Sequence, residues 1–303
     1  MVDLSIKIGK LKLKNPVIAA SGTFGMEYRE LIDVGLLGAI ITKTITLKNR
    51  AGNPPPRIAE TASGMLNSIG LENKGLDDFI KNKIPLFPAN KTVLIVSIAG
   101  DNEDEFAQLA KALDKIKKVS AIELNLSCPN IKHGNRGCLI AQDEEATRAV
   151  VKSVRRVTTL PIIAKLTPNV TDIIKIAKAA QEGGADALSL INTFYGMAVD
   201  IETRRPKLGN ITGGLSGPAI KPLAIRFVYE TYKAVDIPII GMGGIMNYED
   251  AIEFMLCGAA AVQIGTANFV NPAAYIDIIK GIKAYSEKNK LRSVKDIIGK
   301  LKI

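Results

Sequence analysis

The sequence predicts an α/β protein folded as a (β/α)8 TIM barrel, with an N-terminal β-hairpin and long insertions after strands 2 and 6. Three observations support this prediction. Eight short runs are apolar almost throughout, as in parallel strands buried on both faces. Helical patterns separate most of these runs, and eight such units fit a chain of 303 residues. A doubly wound open sheet is the alternative fold.

The chain begins with a predicted β-hairpin, because residues 4–13 alternate apolar and polar side chains around Gly9 and Lys10. The predicted barrel strands are residues 17–20, 39–42, 92–98, 121–126, 162–166, 187–191, 238–241 and 260–264. Helical patterns cover residues 27–34, 103–116, 144–157, 172–182, 218–234, 248–256 and 272–285. Residues 44–76 and 192–217 are long connections of the kind that form binding loops or lids. No linker rich in Gly, Ser or Pro divides the sequence, so we expect residues 1–303 to form one domain.

The composition argues against several classes of protein. The formal net charge is +10, but the lysines are spread along predicted helices and only 5% of the residues are aromatic. We therefore interpret the charge as solvated helix faces with some benefit for anionic ligands, and we expect no nucleic-acid partner. No apolar run reaches the roughly 18 residues of a membrane span, and the chain opens without a signal-peptide pattern. We expect a cytoplasmic protein with no membrane contact, and three cysteines are too few for a disulfide framework.

Two lysines follow apolar strands at the end where (β/α)8 barrels carry their active sites. Lys43 comes directly after the second predicted strand, and Lys165 lies at the end of the fifth. Lysine is almost never buried without a partner. One such lysine can extend to the rim of the barrel, but two at the same mouth indicate a bound anion or an electron-rich ring.

Glycines end the last two predicted strands, at residues 241–244 and at Gly265 before Thr266. Glycine lets the backbone approach a phosphate closely, so that exposed N–H groups bind it. Barrels often hold phosphate in these two loops, although a single Gly-x-Gly-Gly also suits a tight turn. Together with the lysines, the two loops favour a phosphate-bearing cofactor that lies across the barrel mouth.

Further polar residues near the strand ends suggest a reactive site. Asn125 and Cys128 end the fourth strand, Asn67 lies in the first insertion, and Asn192 follows the sixth strand. Amides both donate and accept, which suits a planar ring edged with amides and a carboxylate, while each Asn alone also suits an Asx-turn. Cys128 is a candidate reactive thiol or a buried space-filling residue. His133 is the only histidine, which disfavours a Ser–His–Asp triad or a multi-histidine metal site.

The motifs carry a resemblance that spans nearly the whole chain. They are residues 15–25, 42–46, 64–73, 125–130, 165–170, 191–193, 213–219 and 240–245. In this order they resemble the class 1 dihydroorotate dehydrogenases, and most closely the catalytic subunit of the NAD-linked class 1B form. Residues 132–134, Lys-His-Gly, favour class 1B over the fumarate-using class 1A.

The resemblance implies an FMN enzyme that oxidises (S)-dihydroorotate to orotate in de novo pyrimidine biosynthesis. Hydride would pass to FMN N5, and Cys128 would be the catalytic base. The implied FMN contacts are Ser21, Lys43, Thr44, Ser97, Asn125, Lys165, Ile191, Gly217, Gly243, Gly244, Gly265 and Thr266. The implied substrate contacts are Lys43, Asn67, Ser68, Ile69, Gly70, Leu71, Asn125, Asn192 and Thr193. The family often carries Asn at the position of Ser97, and a hydroxyl there can still bond to the flavin.

The resemblance also implies a partner protein. The sequence shows no NAD-binding pattern and no four-cysteine cluster for iron–sulfur. An electron-transfer subunit would carry FAD and [2Fe-2S] and pass electrons to NAD, in a heterotetramer of two catalytic and two partner subunits. The alternatives are a class 1A-like enzyme using fumarate, an FMN enzyme like dihydropyrimidine dehydrogenase, and a non-catalytic binder of phosphate ligands or nucleic acid. A flavin spectrum of the purified protein would exclude the last.

Overall fold

Eight parallel strands close into a barrel in the computed structural model, which describes residues 2–88, 91–126 and 140–303. The strands of the described chain are β1 (Ile6–Ile8), β2 (Leu11–Leu13), β3 (Val17–Ala19), β4 (Ala39–Ile41), β5 (Ile58–Thr61), β6 (Gly64–Asn67), β7 (Val93–Ile98), β8 (Ala121–Asn125), β9 (Ile162–Lys165), β10 (Ala187–Leu190), β11 (Phe194–Met197), β12 (Val199–Asp200), β13 (Arg205–Pro206), β14 (Thr212–Ser216), β15 (Ile239–Met242) and β16 (Ala259–Ile264). The barrel order is β3-β4-β7-β8-β9-β10-β15-β16, and β16 pairs with β3 to close it.

The helices cover the barrel from outside. They are α1 (Leu76–Asp78), α2 (Glu103–Leu113), α3 (Glu144–Arg155), α4 (Ile173–Glu182), α5 (Lys221–Tyr232), α6 (Tyr248–Leu256), α7 (Ala267–Val270) and α8 (Ala274–Lys288). Several begin at a side chain that accepts a backbone N–H of the first turn, namely Asn102, Asp143, Asp172 and Asn247. Phe106 of α2, Phe254 of α6 and Tyr275 of α8 are fully buried, so the main core lies between barrel and helices.

The predicted (β/α)8 barrel and N-terminal hairpin are confirmed. Each barrel strand begins and ends within one residue of its predicted bounds, because apolar runs buried on both faces are clear in sequence. The hairpin pairs Ile6 with Leu13, and its exposed lysines alternate with buried apolar residues.

The predicted helix over residues 27–34 is wrong. The segment forms two short 3-10 turns, Met26–Glu30 and Val34–Leu36. Gly25 supplies no side-chain cap to the first turn. The Asp33 side chain accepts the backbone N–H of Gly35 and so begins a separate turn. The sequence analysis also missed α1 and the π-helical turn Phe79–Lys83 that follows it.

The two long insertions follow the second and sixth barrel strands, as predicted, but they are not simple loops. Strands from both pair in an antiparallel sheet of order β11-β14-β6-β5, which we call the insertion sheet. The two segments approach so closely that a Cβ atom on Gly64 would lie 2.0 Å from the Ser216 carbonyl oxygen. The insertions therefore fold as one unit.

A helix that crosses a membrane must be both long and apolar. Among the residues that the structure describes, no helix combines the length and apolar character needed to cross a membrane.

Candidate active site

A cavity of about 420 Å³ opens at the carboxyl ends of the barrel strands. Polar and glycine residues line it together with apolar side chains from the insertions and from the loops after β15 and β16. Its size lies in the range of small-molecule and cofactor sites. In this part of a (β/α)8 barrel, residues from several strands converge on one bound molecule.

Most of the predicted contacts meet in this cavity. Its lining includes Ser21, Lys43, Thr44, Asn67, Ile69, Gly70, Leu71, Asn125, Lys165, Ile191, Asn192, Thr193, Gly243, Gly244, Gly265 and Thr266. Three predicted contacts lie behind the wall that the described residues form: Ser68, Ser97 and Gly217. The predicted base, Cys128, and the neighbouring His133 lie outside the described residues.

Thr44 connects four barrel units at one side of the cavity. Its hydroxyl lies 2.9 Å from Ser97 Oγ and 3.3 Å from Ser21 Oγ. The Asn125 amide donates to the same hydroxyl at 3.1 Å. Ser97 is fully buried, so its role in this structure is to hold Thr44, which does line the cavity.

Lys165 lies at the base of the cavity above a buried polar cluster. Only 5% of Lys165 is exposed, and its ammonium nitrogen lies 4.0 Å from Glu123 Oε1. The other oxygen, Glu123 Oε2, accepts hydrogen bonds from Ser189 Oγ at 3.1 Å and Gln263 Nε2 at 2.8 Å. Gln263 Nε2 also donates to Ser189 Oγ at 2.8 Å. These four residues come from four different barrel strands.

Lys43 provides a second cation in the cavity wall. It remains accessible through the open cavity, but the surrounding protein desolvates its ammonium. This burial lowers the pKa of Lys43 below 10.5, and the positive charge of Arg57 lowers it further, while Glu72 acts in the opposite direction. Arg57 itself donates to Glu72 and to the carbonyl oxygens of Asn53 and Ala51. The charge of Lys43 is therefore available to an anionic ligand.

Two glycine turns border the cavity after β15 and β16. Gly243 and Gly244 have φ values of +120° and +77°, which L side chains rarely adopt. A Cβ atom on Gly244 would lie 2.7 Å from Lys221 Cβ and 2.9 Å from the Gly217 carbonyl oxygen. Gly217 therefore supports this turn from behind. On the next loop, Thr266 Oγ1 lies 2.8 Å from Ser216 Oγ.

Further polar side chains stand at the ends of the insertion-sheet strands or next to them. Asn67 ends β6 and donates to the Gly214 carbonyl oxygen at 3.3 Å, across the β6–β14 pair. Ser68 is fully buried, and its hydroxyl accepts a hydrogen bond of 2.8 Å from Asn53. Asn192 accepts the backbone N–H of Thr193 at 2.9 Å. Asn67 and Asn192 therefore bring amides that can read a carboxylate or an amide into the same cavity as the two lysines.

The donors and acceptors of the wall fit the expected FMN. Gln263 lines the cavity and is 1% exposed, and its Oε1 has no hydrogen-bond partner within the described residues. Its amide orientation is fixed because Nε2 donates to the Glu123 carboxylate. A planar ring with an N–H group and carbonyl oxygens would satisfy Gln263 Oε1 and the Lys165 ammonium together. The glycine turns offer backbone N–H groups to a phosphate.

Sequence reasoning missed Glu123, Gln263 and Ser216. Glu123 and Gln263 are buried polar residues within strands β8 and β16, which are otherwise mostly apolar. That interruption is a signal visible in the sequence. Ser216 gives no such signal, because it ends a strand that belongs to an insertion.

Comparison with known proteins places these features in a family. A family model described as dihydroorotate dehydrogenase matches residues 3–285. A Caldicellulosiruptor bescii protein named "Dihydroorotate dehydrogenase B (NAD(+)), catalytic subunit" is 54% identical over 304 residues, covering 100% of both chains. Proteins of the same name from Geobacter metallireducens and Bacteroides thetaiotaomicron are 52% and 50% identical, covering 99% and 100% of each chain.

Proposed function

We propose a function from the premise that this chain belongs to the dihydroorotate dehydrogenase family, whose model matches residues 3–285. The chain is the catalytic subunit of an NAD-linked enzyme that oxidises (S)-dihydroorotate to orotate in pyrimidine biosynthesis. The relatives that match it end to end are named as that subunit. The observation that carries the proposal is one cavity lined by two lysines, Lys43 and Lys165, and by the amides of Asn67, Asn125 and Asn192.

FMN is the proposed cofactor, and residues 1–303 act as one FMN-binding domain. The turns of Gly243, Gly244, Gly265 and Thr266 would hold its phosphate, and the wall that carries Lys165 would contact its ring; all these residues line the cavity. The remaining proposed contacts are Ser21, Lys43, Thr44, Asn125 and Ile191, which line the cavity, with Ser97 and Gly217 acting from behind. Bound FMN supplies the hydride acceptor.

The substrate binds between the ring and the insertion sheet. Lys43 attracts the dihydroorotate carboxylate, and charge that develops on the carbonyl system is stabilised by the same ammonium. The amides of Asn67, Asn125 and Asn192 orient the ring by donating to its carbonyl oxygens and accepting from its N–H groups. Residues 68–71 and Thr193 complete the proposed contacts.

Cys128 is the proposed base. Oxidation of dihydroorotate requires removal of a proton from C5 and a hydride from C6, and the thiolate form of cysteine accepts the proton. Cys128 follows β8, whose last residue, Asn125, lines the cavity. Cys128 is three positions after Asn125 along the chain, which keeps its thiol within reach of a substrate that contacts Asn125.

An electron-transfer subunit with FAD and [2Fe-2S] is the proposed partner, in a heterotetramer of two catalytic and two partner chains. The printed name "catalytic subunit" on the relatives supports a separate partner. We place the reaction in the cytoplasm as part of the same proposal.

The test uses the purified chain alone and then with its partner. We expect the chain to carry FMN, visible in its absorbance spectrum, and to lose the oxidised flavin absorbance when dihydroorotate is added without oxygen. NAD turnover is expected to be slow until the electron-transfer subunit is added. A colourless protein that binds no FMN would contradict the enzyme assignment. Fast turnover with fumarate, or with NAD in the absence of a partner, would contradict the NAD-linked form.

A further inference from the structure

We propose that Glu123 is a positioning residue that acts through Lys165 and keeps the reduction potential of the bound flavin low. The inference rests on the proposed function, in which FMN lies against Lys165. It concerns a residue that touches neither substrate nor flavin in the proposal, since Glu123 is fully buried below the cavity wall.

The hydrogen bonds of Glu123 are divided unequally between its two oxygens. Oε2 accepts from both Ser189 and Gln263. Oε1 accepts no hydrogen bond from any residue that the structure describes, and it faces the Lys165 ammonium at 4.0 Å. Two donors on one oxygen and a cation near the other are the partners of an ionised carboxylate. The carboxylate is thus anchored on one side and directed at Lys165 on the other.

The distance of 4.0 Å is the informative feature. A nitrogen–oxygen separation above about 3.2 Å is too long for a good hydrogen bond, but opposite charges at this distance interact strongly in a water-poor interior. Lys165 is therefore electrostatically paired with Glu123 while its N–H donors stay available to a ligand in the cavity. An ion pair that served stability alone would be expected to close to direct contact, because a buried charge pair needs good geometry to offset its desolvation.

The pairing has a consequence for a redox cofactor. Reduction adds negative charge to the flavin, and an ammonium beside the ring favours the reduced form. Glu123 already compensates part of the Lys165 charge, so reduction is less favourable than it would be beside an unpaired lysine. A lower potential suits a flavin whose electrons pass on toward NAD.

Glu123→Gln tests this directly, because it removes the charge and keeps the shape. The new amide oxygen can still accept from Ser189 and Gln263. We expect the flavin midpoint potential to become more positive, with the reduced form favoured roughly tenfold, which corresponds to about 30 mV for a two-electron couple. The measurement is an anaerobic reductive titration of the FMN-loaded chain against a reference dye, followed by absorbance.

Ser189→Ala is the matched control. It removes a neutral hydrogen bond from the same carboxylate oxygen and leaves both charges in place. We expect its potential to match wild type. An equal shift in both variants would show that loosening of the buried cluster, and not the Glu123 charge, sets the potential, and would overturn the inference.

The dependence on Lys165 is tested in a Lys165→Met background. There the buried carboxylate has lost its cation, and a buried charge without a partner is neutralised. Adding Glu123→Gln is therefore expected to leave the potential unchanged. A shift that persists in this background would overturn the assignment of Glu123 as a residue acting through Lys165.

The outcomes separate the two proposals. If the chain binds no FMN, the proposed function itself fails. If wild type binds FMN and is reduced by dihydroorotate while Glu123→Gln has an unchanged or more negative potential, only the inference fails. Should Glu123→Gln not fold, Glu123→Asp decides, because it keeps the charge and retracts it by one methylene. A more positive potential in Glu123→Asp supports the inference, and an unchanged one overturns it.

Discussion

Gly244→Ala is expected to weaken FMN binding by distorting the proposed phosphate turn. The residue has φ +77°, and an added Cβ atom would lie 2.7 Å from Lys221 Cβ, 2.9 Å from Lys221 N and 2.9 Å from the Gly217 carbonyl oxygen. The left-handed backbone costs about 1–2 kcal/mol for a residue with a Cβ, and the contacts with neighbouring backbone add about 1–3 kcal/mol. The turn is therefore expected to move.

The effect on affinity follows from that cost. If binding must recover about 2 kcal/mol to restore the turn, the Kd for FMN rises roughly 30-fold. The assay is a titration of the apoprotein with FMN, followed by the quenching of flavin fluorescence.

Gly9→Ala is the control for the Gly244 experiment. Gly9 also has a positive φ, +57°, but lies in the β1–β2 hairpin, and its added Cβ atom would be 3.2 Å from the nearest atom, Asp186 Cβ. This variant is expected to lose some stability to heat and to bind FMN as wild type does. Wild-type FMN affinity in Gly244→Ala, or an equal loss in Gly9→Ala, would refute the reasoning.

Three further predictions concern other parts of the chain. The Cys128→Ser variant is expected to retain FMN, but dihydroorotate should reduce its flavin roughly 100-fold or more slowly near neutral pH, because a hydroxyl ionises far less readily than a thiol. Flavin reduction at the wild-type rate in a stopped-flow experiment would exclude Cys128 as the base. Folding lowers the pKa of Lys43 below 10.5. Between the folded and unfolded pKa values, the unfolded chain still binds a proton that the folded chain has released. The stability that Lys43 contributes therefore rises as the pH rises through this interval. Lys43→Met is expected to remove this rise in urea unfolding of the apoprotein, and an unaltered pH dependence would contradict the desolvation of Lys43. Phe254→Ala is expected to lower the free energy of unfolding by about 3–5 kcal/mol, since the ring is fully buried and packs on Gly241. Leu223→Ala, at an exposed helix position, should change the free energy of unfolding by less than about 0.5 kcal/mol. Equal effects of the two substitutions in chemical denaturation would be inconsistent with this packing.

The barrel could be predicted from sequence because its strands are short, apolar and separated by helical patterns. The failure at residues 27–34 has a local cause. The apolar spacing suggested a helix, but the Asp33 side chain satisfies the N–H of Gly35 and starts a new turn. Periodicity alone does not detect such competition between side chain and backbone.

The candidate site was predictable to the extent that its residues stand at strand ends. Lys43, Lys165 and the glycines after β15 and β16 are marked by position, and all line the cavity. The pairing of Lys165 with Glu123 was not predictable, because it depends on which side chains point into the barrel and on the register between β8 and β9. The insertion sheet was also missed. Its strands β6 and β14 come from insertions far apart in the sequence, and their residues show no alternation of apolar and polar side chains.

That sheet has a consequence for the order in which the protein matures. Its β6–β14 pair joins residues 147 positions apart, at Asn67 and Gly214. Such distant contacts are costly to form early, because a large loop must first be closed. A growing chain that ends before β14 lacks the strand that joins β11 to β6 in the sheet proposed to receive dihydroorotate. If substrate binds at this sheet as proposed, competence to recognise it is expected late in synthesis, after most of the barrel strands have left the ribosome.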